Sequence, residues 1–206
     1  MEITTDIAVI GGGLTGSLMA LASANSGFSV CIIDAISAKT QKDPDFDGRS
    51  YAIAMASGRM LKALGLWEDL EADAQPILDI KVTDGAVGEH PSPFFLHFEK
   101  YGLDEGPMGN MVEDRHLRSV LQSCLLDNEN ITHLGGRRVE GQATQTTSSV
   151  LTLDDGGQVH ASLVICADGR NSASAKIAGV TYTGWEYAQS ALVCALEHEY
   201  SLNGFA

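Results

Sequence analysis

The chain has 206 residues, 44% hydrophobic and 19% charged, a composition typical of folded globular proteins that excludes a collagen or a disordered tail. Thirteen basic residues against 27 acidic ones give a formal net charge of −14. Because such an excess repels phosphate backbones and anionic lipid headgroups, it argues against non-specific nucleic-acid binding.

The first 34 residues predict a βαβ unit. A β-branched strand, Asp6 to Ile10, ends at three consecutive glycines, and leucines at helical spacing predict a helix over 14–26 that Gly27 terminates. A second apolar strand, Ser29 to Asp34, ends in a carboxylate. A polar loop over 35–47, bent by Pro44, follows.

The middle of the chain is predicted to mix helices and strands. Residues 57–64 and 67–74 have helical patterns, and 77–83 and 94–98 have strand patterns. Phe94, Phe95 and Phe98 are interpreted as part of a core strand, with an apolar substrate wall as the alternative. A further helix runs from Asp114 to Leu126, and Trp67 and Trp185 are predicted to be packing anchors.

The last third is predicted to be mostly β. A strand is predicted over 131–134, and strands over 138–144 and 150–153 are predicted to form a meander closed by a turn at 155–157. The adjacent Arg137 and Arg138 are interpreted as a solvated strand end. Leu163 to Cys166 has the pattern of a buried parallel strand, and a longer strand is predicted over 186–196. The fold class is therefore α/β, a Rossmann-like βαβ domain with an inserted or following mixed β-sheet region.

The cysteines and the N-terminus indicate a cytoplasmic protein. Four widely separated cysteines, each in an apolar run, are predicted to be reduced core residues. The sequence contains no C-x-x-C and no H-E-x-x-H motif, so no metal site is predicted. The N-terminus lacks the basic residues of a secretory signal, and no apolar stretch reaches the roughly 18 residues that a membrane span needs.

The motif Gly11-x-Gly13-x-x-Gly16 lies between the first strand and the first helix. Gly11 permits the tight turn, Gly13 lets the backbone approach a pyrophosphate, and Gly16 lets the helix pack closely on the strand. Asp34 is placed to accept hydrogen bonds from a ribose, and its charge disfavours a 2′-phosphate. The segment predicts dinucleotide binding without separating NAD from FAD.

Three later segments, over 47–67, 168–169 and 186–193, resemble stretches of the FAD-dependent aromatic hydroxylases of the para-hydroxybenzoate hydroxylase superfamily, most closely the ubiquinone-biosynthesis hydroxylases. The block from Asp47 to Trp67 is similar to their D-x-R-x-x-A-L and L-G-L-W stretches. The Asp168-Gly169 loop is similar to their D-G motif, and 186–193 to the strand that follows it. The resemblance runs in order over nearly the whole chain.

The resemblance implies roles for individual residues around FAD. Gly11, Gly13 and Gly16 would hold the pyrophosphate and Asp34 the adenosine ribose. Arg49 would reach the cofactor near its pyrophosphate or flavin side, with an exposed loop arginine as the alternative.

The remaining implied residues have alternatives of their own. Asp168, with Gly169, would bond the pyrophosphate–ribitol region or nearby backbone, or form an ordinary Asp-Gly turn; Val139 would contact adenine through its backbone, or be a plain strand valine. Relatives commonly carry Gln, Asn or Arg where this chain has Asp114, so either Asp114 accepts ribitol hydroxyls or Arg118 replaces it. A simple N-cap role suits Asp114 equally well.

The resemblance also implies a domain division and a reaction. Residues 1–75 and 110–180 would bind FAD, while 76–109 and 181–206 would belong to a substrate-binding β-sheet domain. NAD(P)H would reduce FAD, O₂ would form a flavin C4a-hydroperoxide, and a polyprenylated phenol of ubiquinone biosynthesis would be hydroxylated. The substrate would come from a membrane or a lipid-binding partner, so association at the periphery of the inner membrane is a further option.

Two other interpretations stay open at this point. One is a different FAD- or NAD-dependent oxidoreductase, and the other is a noncatalytic dinucleotide-binding fragment. Relatives carry a later G-D-A-A-H-like segment that does not occur before Ala206, so we expect an incomplete chain that binds FAD weakly without turnover.

Overall fold

The computed structural model describes residues 1–43, 45, 49–85, 88, 90, 92–99, 106–191, 193 and 199–205. The chain divides into two compact units, one of Met1–Phe46 with Arg118–Leu192 and one of Asp47–Leu117 with Val193–Ala206. These units are defined by packing alone, so the assignment of an FAD domain and a substrate domain stays a prediction.

Eleven strands and five helices occur among the described residues. In chain order they are β1 (Glu2–Ile10), α1 (Leu14–Asn25), β2 (Val30–Asp34), α2 (Ala38–Gln41), β3 (Ser50–Ala54), α3 (Met55–Ala63), β4 (Gln75–Ile77), β5 (Asp79–Thr83), β6 (Phe95–Glu99), β7 (Gly109–Glu113), α4 (Asp114–Asp127), β8 (Ile131–Gly135), β9 (Val139–Thr144), β10 (Ser149–Leu153), β11 (Gln158–Cys166) and α5 (Ala173–Ile177).

The first unit is built on a six-stranded sheet in the order β8-β2-β1-β11-β10-β9. The four strands β8, β2, β1 and β11 run parallel, while β10 pairs antiparallel with β9 and with the first half of β11. Helix α1 connects β1 to β2, as the predicted βαβ unit requires. The α/β fold class expected from the sequence is confirmed.

The centre of this sheet is buried on both faces. Ala8, Cys31 and Ile33 pack on one face with Leu151 and Leu153 of the meander. The glycine-free run of β2 is buried over 30–33, which is why its sequence is continuously apolar rather than alternating. Full burial of each large aliphatic side chain contributes about 1.5–3 kcal/mol.

Strand β11 departs from the predicted buried strand at its C-terminal end. Its residues 158–161 lie between β1 and β10, but 163–166 pair with β1 only, and no other described strand pairs with them. Leu163 is 53% exposed and Cys166 is exposed. The prediction of a parallel strand is confirmed, whereas the prediction of burial is wrong because the second neighbouring strand is missing there.

The second unit contains two antiparallel sheets, one in the order β3-β7-β4 and one of β5 with β6. The pair β5–β6 exposes its aromatic residues, with Phe94 86%, Phe95 54% and Phe98 53% exposed. The core-strand interpretation of these phenylalanines is therefore wrong. The alternative, an apolar substrate wall, stays a prediction.

Three other predictions are also wrong. Residues 67–74 form turns and a short 3-10 helix at Glu71–Asp73, although Trp67 is buried as expected. The described residues between 186 and 193 form no strand, and the rest of the predicted strand, 194–196, lies outside the described residues. Trp185 is 81% exposed and anchors no core.

The cysteines differ in burial more than the sequence predicted. Among those in the described part of the chain, Cys31 is buried, Cys124 is partly buried and Cys166 is exposed, so the prediction of a core position is wrong for Cys166. Cys194 lies outside the described residues. Among the helices described, none combines the length and the apolar character needed to cross a membrane.

Candidate functional site

A pocket of about 450 Å³ opens at the C-terminal ends of the parallel strands in the first unit. This volume lies within the usual range for small-molecule sites, and the edge of a parallel sheet is where such folds bind ligands. Six of the sequence-predicted residues line it: Gly11, Gly13, Asp34, Val139, Asp168 and Gly169.

The glycine loop between β1 and α1 is shaped by close backbone contacts. Gly11 has φ +99°, and a Cβ there would lie 2.9 Å from the Cα of Asp168 and still closer to the carbonyl of Ala167. A Cβ on Gly16 would overlap the carbonyl oxygen of Gly11. The two glycines therefore do what the motif predicted, a tight turn and close packing of helix on strand.

Gly13 differs from its neighbours because the space in front of it is open. No atom lies within 4 Å of a Cβ built there among the described residues, and its φ of −69° is accessible to any residue. It precedes α1, whose first turn carries no acidic side chain and whose cap makes no side-chain hydrogen bond. The unpaired N–H groups and partial positive charge at this end of the helix favour an anion.

Asp34 is held at the mouth of the pocket by backbone donors. The N–H of Gly12 donates to its Oδ2, and the N–H of Ile36 donates to Oδ1 at 2.6 Å. Each carboxylate oxygen has further lone pairs, so hydroxyl groups of a ligand can still be accepted. The position fits a ribose next to a phosphate at Gly13.

Asp168 forms hydrogen bonds within its own loop. Its Oδ1 accepts from the Ser172 hydroxyl at 2.5 Å, and its Oδ2 accepts from the N–H of Ser174 at 3.0 Å. Burial acts to raise the pKa of Asp168, but these hydrogen bonds outweigh it and hold the pKa below its usual value. The Asp-Gly turn is thus present, with Gly169 at φ +83°, and a role toward a cofactor stays a prediction.

Arg137 and Arg138 line the same pocket, a position that the sequence reasoning missed. The Arg137 N–H donates to the carbonyl of Asp34 at 2.9 Å, and its guanidinium lies 3.0 Å from the carboxylate of Asp155. Arg138 is exposed, and no carboxylate lies within ion-pair distance of it in the described ranges. Both arginines follow β8, and the pairing of β8 with β2 brings Arg137 to Asp34.

Arg49, Asp114 and Arg118 are not among the residues that line this pocket. Arg49 and Asp114 lie together in the second unit, where the Asp114 N–H donates to the Arg49 carbonyl at 2.8 Å. Asp114 is fully buried as the first residue of α4, and Arg118 follows one turn later. Their predicted roles near the ribitol and flavin stay predictions.

The pocket residues together fit an adenine dinucleotide. The open space at the Cβ position of Gly13 and the uncapped N-terminus of α1 suit a pyrophosphate. The carboxylate at the end of the next strand suits the neighbouring ribose. Within the described ranges, no group of three or more His, Cys, Asp or Glu side chains could hold a metal ion.

Comparisons with known proteins agree with this geometry. The family model described as "FAD binding domain" matches residues 4–201. The chain is 40% identical over 201 residues to "Ubiquinone hydroxylase UbiL" of Rhodospirillum rubrum, an alignment that covers 98% of this chain and 46% of that protein. It is 31% identical to "3-demethoxyubiquinol 3-hydroxylase" of Escherichia coli, with 95% of this chain and 49% of that protein covered.

A solved structure gives the same picture of the fold. The p-nitrophenol 4-monooxygenase PnpA from Pseudomonas putida superposes with a TM-score of 0.75 at 21% identity, covering 91% of this chain and 47% of that one. The chain spans about half the length of the curated relatives it matches. The resemblance expected from the sequence is confirmed.

Proposed function

The chain belongs to the FAD-binding domain family, and on this premise we propose that its pocket holds the adenosine and pyrophosphate of FAD in a monooxygenase that hydroxylates a polyprenylated phenol of ubiquinone biosynthesis. The observation that carries the proposal is the open space around the Cβ position of Gly13, at the N-terminus of α1, in the pocket that Asp34 also lines. The two curated relatives named for ubiquinone hydroxylation support the choice of substrate class.

The residues of this chain would contribute binding and orientation rather than acid–base chemistry. The N–H groups at the start of α1 would bind pyrophosphate oxygens, and Asp34 would accept the ribose hydroxyls. When bound, FAD would supply the redox chemistry, in which two electrons from NAD(P)H and one O₂ give one oxygen atom to the phenol ring and release the other as water. Arg49, Asp114, Arg118, Asp168 and the Val139 backbone are proposed as further cofactor contacts.

The binding half of the proposal is tested by Gly13→Val. Because Gly13 has an ordinary φ and empty space before it, valine leaves the backbone unstrained and fills the space where a phosphate would lie. We expect FAD affinity, measured by quenching of flavin fluorescence, to fall by at least about a hundredfold, comparable to losing two charge-assisted hydrogen bonds. The thermal midpoint should change little.

Gly184→Val is the matched control, since a Cβ at Gly184 also meets open space and its φ is also ordinary. This variant should bind FAD as the wild type does. Equal FAD affinity in the Gly13→Val variant and the wild type would contradict the proposed site.

The catalytic half is tested by product analysis. The full-length protein that carries this chain is incubated with FAD, NADH or NADPH, O₂ and a short-chain prenylated phenol, and mass spectrometry is used to detect a product with one added oxygen atom. Oxygen incorporation from labelled O₂ supports the monooxygenase. FAD binding with nicotinamide oxidation but no oxygenated product would favour another flavin-dependent oxidoreductase.

A further inference from the structure

The order of the strand ends gives each part of a dinucleotide its own position. In the sheet, β2 lies between β1 and β8, so Asp34 at the end of β2 separates the glycine loop after β1 from the turn after β8. Two strand spacings place the ends of β1 and β8 about 10 Å apart. If phosphate lies at Gly13 and ribose at Asp34, the base extends toward the turn after β8.

The pocket lining includes residues suited to binding a base. Ile36 and Val139 supply apolar surface, and Gln142 lies further along β9. Arg138 is the residue between the turn and β9, and its carbonyl accepts a 3.0 Å hydrogen bond from the N–H of Asp154, which fixes its backbone. A planar side chain at this point would share the pocket lining with these apolar residues.

The two neighbouring arginines differ in what their charges already contact. The Arg137 guanidinium pairs with Asp155 at 3.0 Å and lies 3.8 Å from Asp154, so its charge is directed toward the β10–β11 turn. Arg138 has no ion-pair partner in the described part of the chain, and it lines the pocket. A guanidinium plane without a carboxylate partner is well suited to stack on an aromatic base.

We propose, on the basis of the proposed function, that the Arg138 guanidinium stacks on the adenine of FAD and gives the pocket its preference for adenine-containing ligands. The contact proposed is with the base rather than with the pyrophosphate, because the turn that carries Arg138 begins at the end of β8, and Asp34 at the end of β2 lies between that strand end and the glycine loop. The interaction depends on the flat, delocalised group of arginine as well as on its charge.

The test compares ligands with and without the base in calorimetric titrations. For Arg138→Ala we expect affinity for FAD and for ADP to fall roughly fivefold to tenfold, the size of a partly exposed stacking contact, with inorganic pyrophosphate unaffected. Arg138→Lys keeps the charge without the plane and should lose most of the same affinity. Arg170→Ala removes an exposed arginine that does not line the pocket and should bind all three ligands as the wild type does.

The outcomes separate this inference from the proposed function. Wild-type ADP affinity in Arg138→Ala, full affinity in Arg138→Lys, or an equal loss of ADP and pyrophosphate binding would each overturn the stacking role. If the Arg138 variants bind FAD normally, only this inference fails. A wild-type protein that binds neither FAD nor ADP would overturn the proposed function and this inference together.

Discussion

Strands β1 and β11 are neighbours, both apolar in sequence, and both end at the pocket, yet they are stabilised differently. Ile7 of β1 pairs with Leu163 of β11, but Ile7 is 8% exposed and Leu163 is 53% exposed. The loop after β1 is shaped by glycines packed against backbone, while the loop after β11 is held by side-chain hydrogen bonds to Asp168. An apolar run thus predicts a strand, whereas burial depends on how many neighbours that strand has.

The largest expected difference in stability is between substitutions at Gly11 and at Gly169, the two loop glycines with positive φ. Gly11→Val should lower the free energy of unfolding by more than about 4 kcal/mol, because backbone strain is added to a collision with Ala167 and Asp168. Gly169→Val carries only the strain, since no described atom lies near its Cβ, and should cost about 1–2 kcal/mol. Urea unfolding measures both losses of stability. Equal losses would contradict the claim that close backbone contacts constrain the loop after β1 but not the glycine of the loop after β11.

The paired residues Ile7 and Leu163 provide the next comparison. Ile7→Ala should cost about 2–4 kcal/mol, as a truncation in a packed core, and Leu163→Ala less than about 1 kcal/mol. The two losses are read from the shift in urea midpoint at constant slope. A loss at Leu163 as large as that at Ile7 would mean that the second half of β11 is covered.

Acid should weaken the loop after β11, because hydrogen bonds to the Asp168 carboxylate hold that loop. Because the folded pKa of Asp168 is lowered, its stabilisation is present above the ordinary carboxyl value of about 3.9 and is lost as pH falls through the lowered pKa. Asp168→Asn should lose about 1 kcal/mol near pH 7, at the low end because solvent reaches this loop.

The stability difference between wild type and Asp168→Asn should shrink below about pH 4. Thermal unfolding of both proteins across this pH range measures it. A difference that stays constant with pH would show that the carboxylate is not the stabilising species.

The last comparison concerns the reactivity of the cysteines and involves no change in stability. Burial raises the pKa of the Cys31 thiol to about 12, so its thiolate is scarce at pH 8, whereas Cys166 is exposed at the end of β11. Alkylation followed by peptide mass spectrometry should label Cys166 more than about a thousandfold faster than Cys31. Comparable rates would indicate that β2 opens as readily as the end of β11.

Local features of the chain were predictable and distant pairings were not. The β1-α1-β2 unit, its glycine turn and the position of Asp34 follow from residues close in sequence, and the structure has them as predicted. The helix predicted over 67–74 fails because turns bury Trp67 and Leu70 equally well. The exposure of Leu163 could not be predicted, because it depends on which strands pair with β11.

The residues of the candidate site show the same difference between local signals and distant pairings. Gly11, Gly13 and Asp34 were identifiable from spacing, since one βαβ unit places them together. Arg138 was not, because it reaches the pocket only through the pairing of β8 with β2, about 100 residues apart in sequence. A basic pair in the short turn after the third parallel strand is the signal that would have identified it.

The central claim is that FAD lies across the ends of β1, β2 and β8, and hydrogen–deuterium exchange with and without saturating FAD tests it most directly. The account predicts slower exchange in peptides covering 11–16, 34–36 and 136–142, and unchanged exchange in peptides covering β5 and 93–99 of the second unit. Protection confined to the second unit, or bound FAD with no protection at the glycine loop, would contradict it.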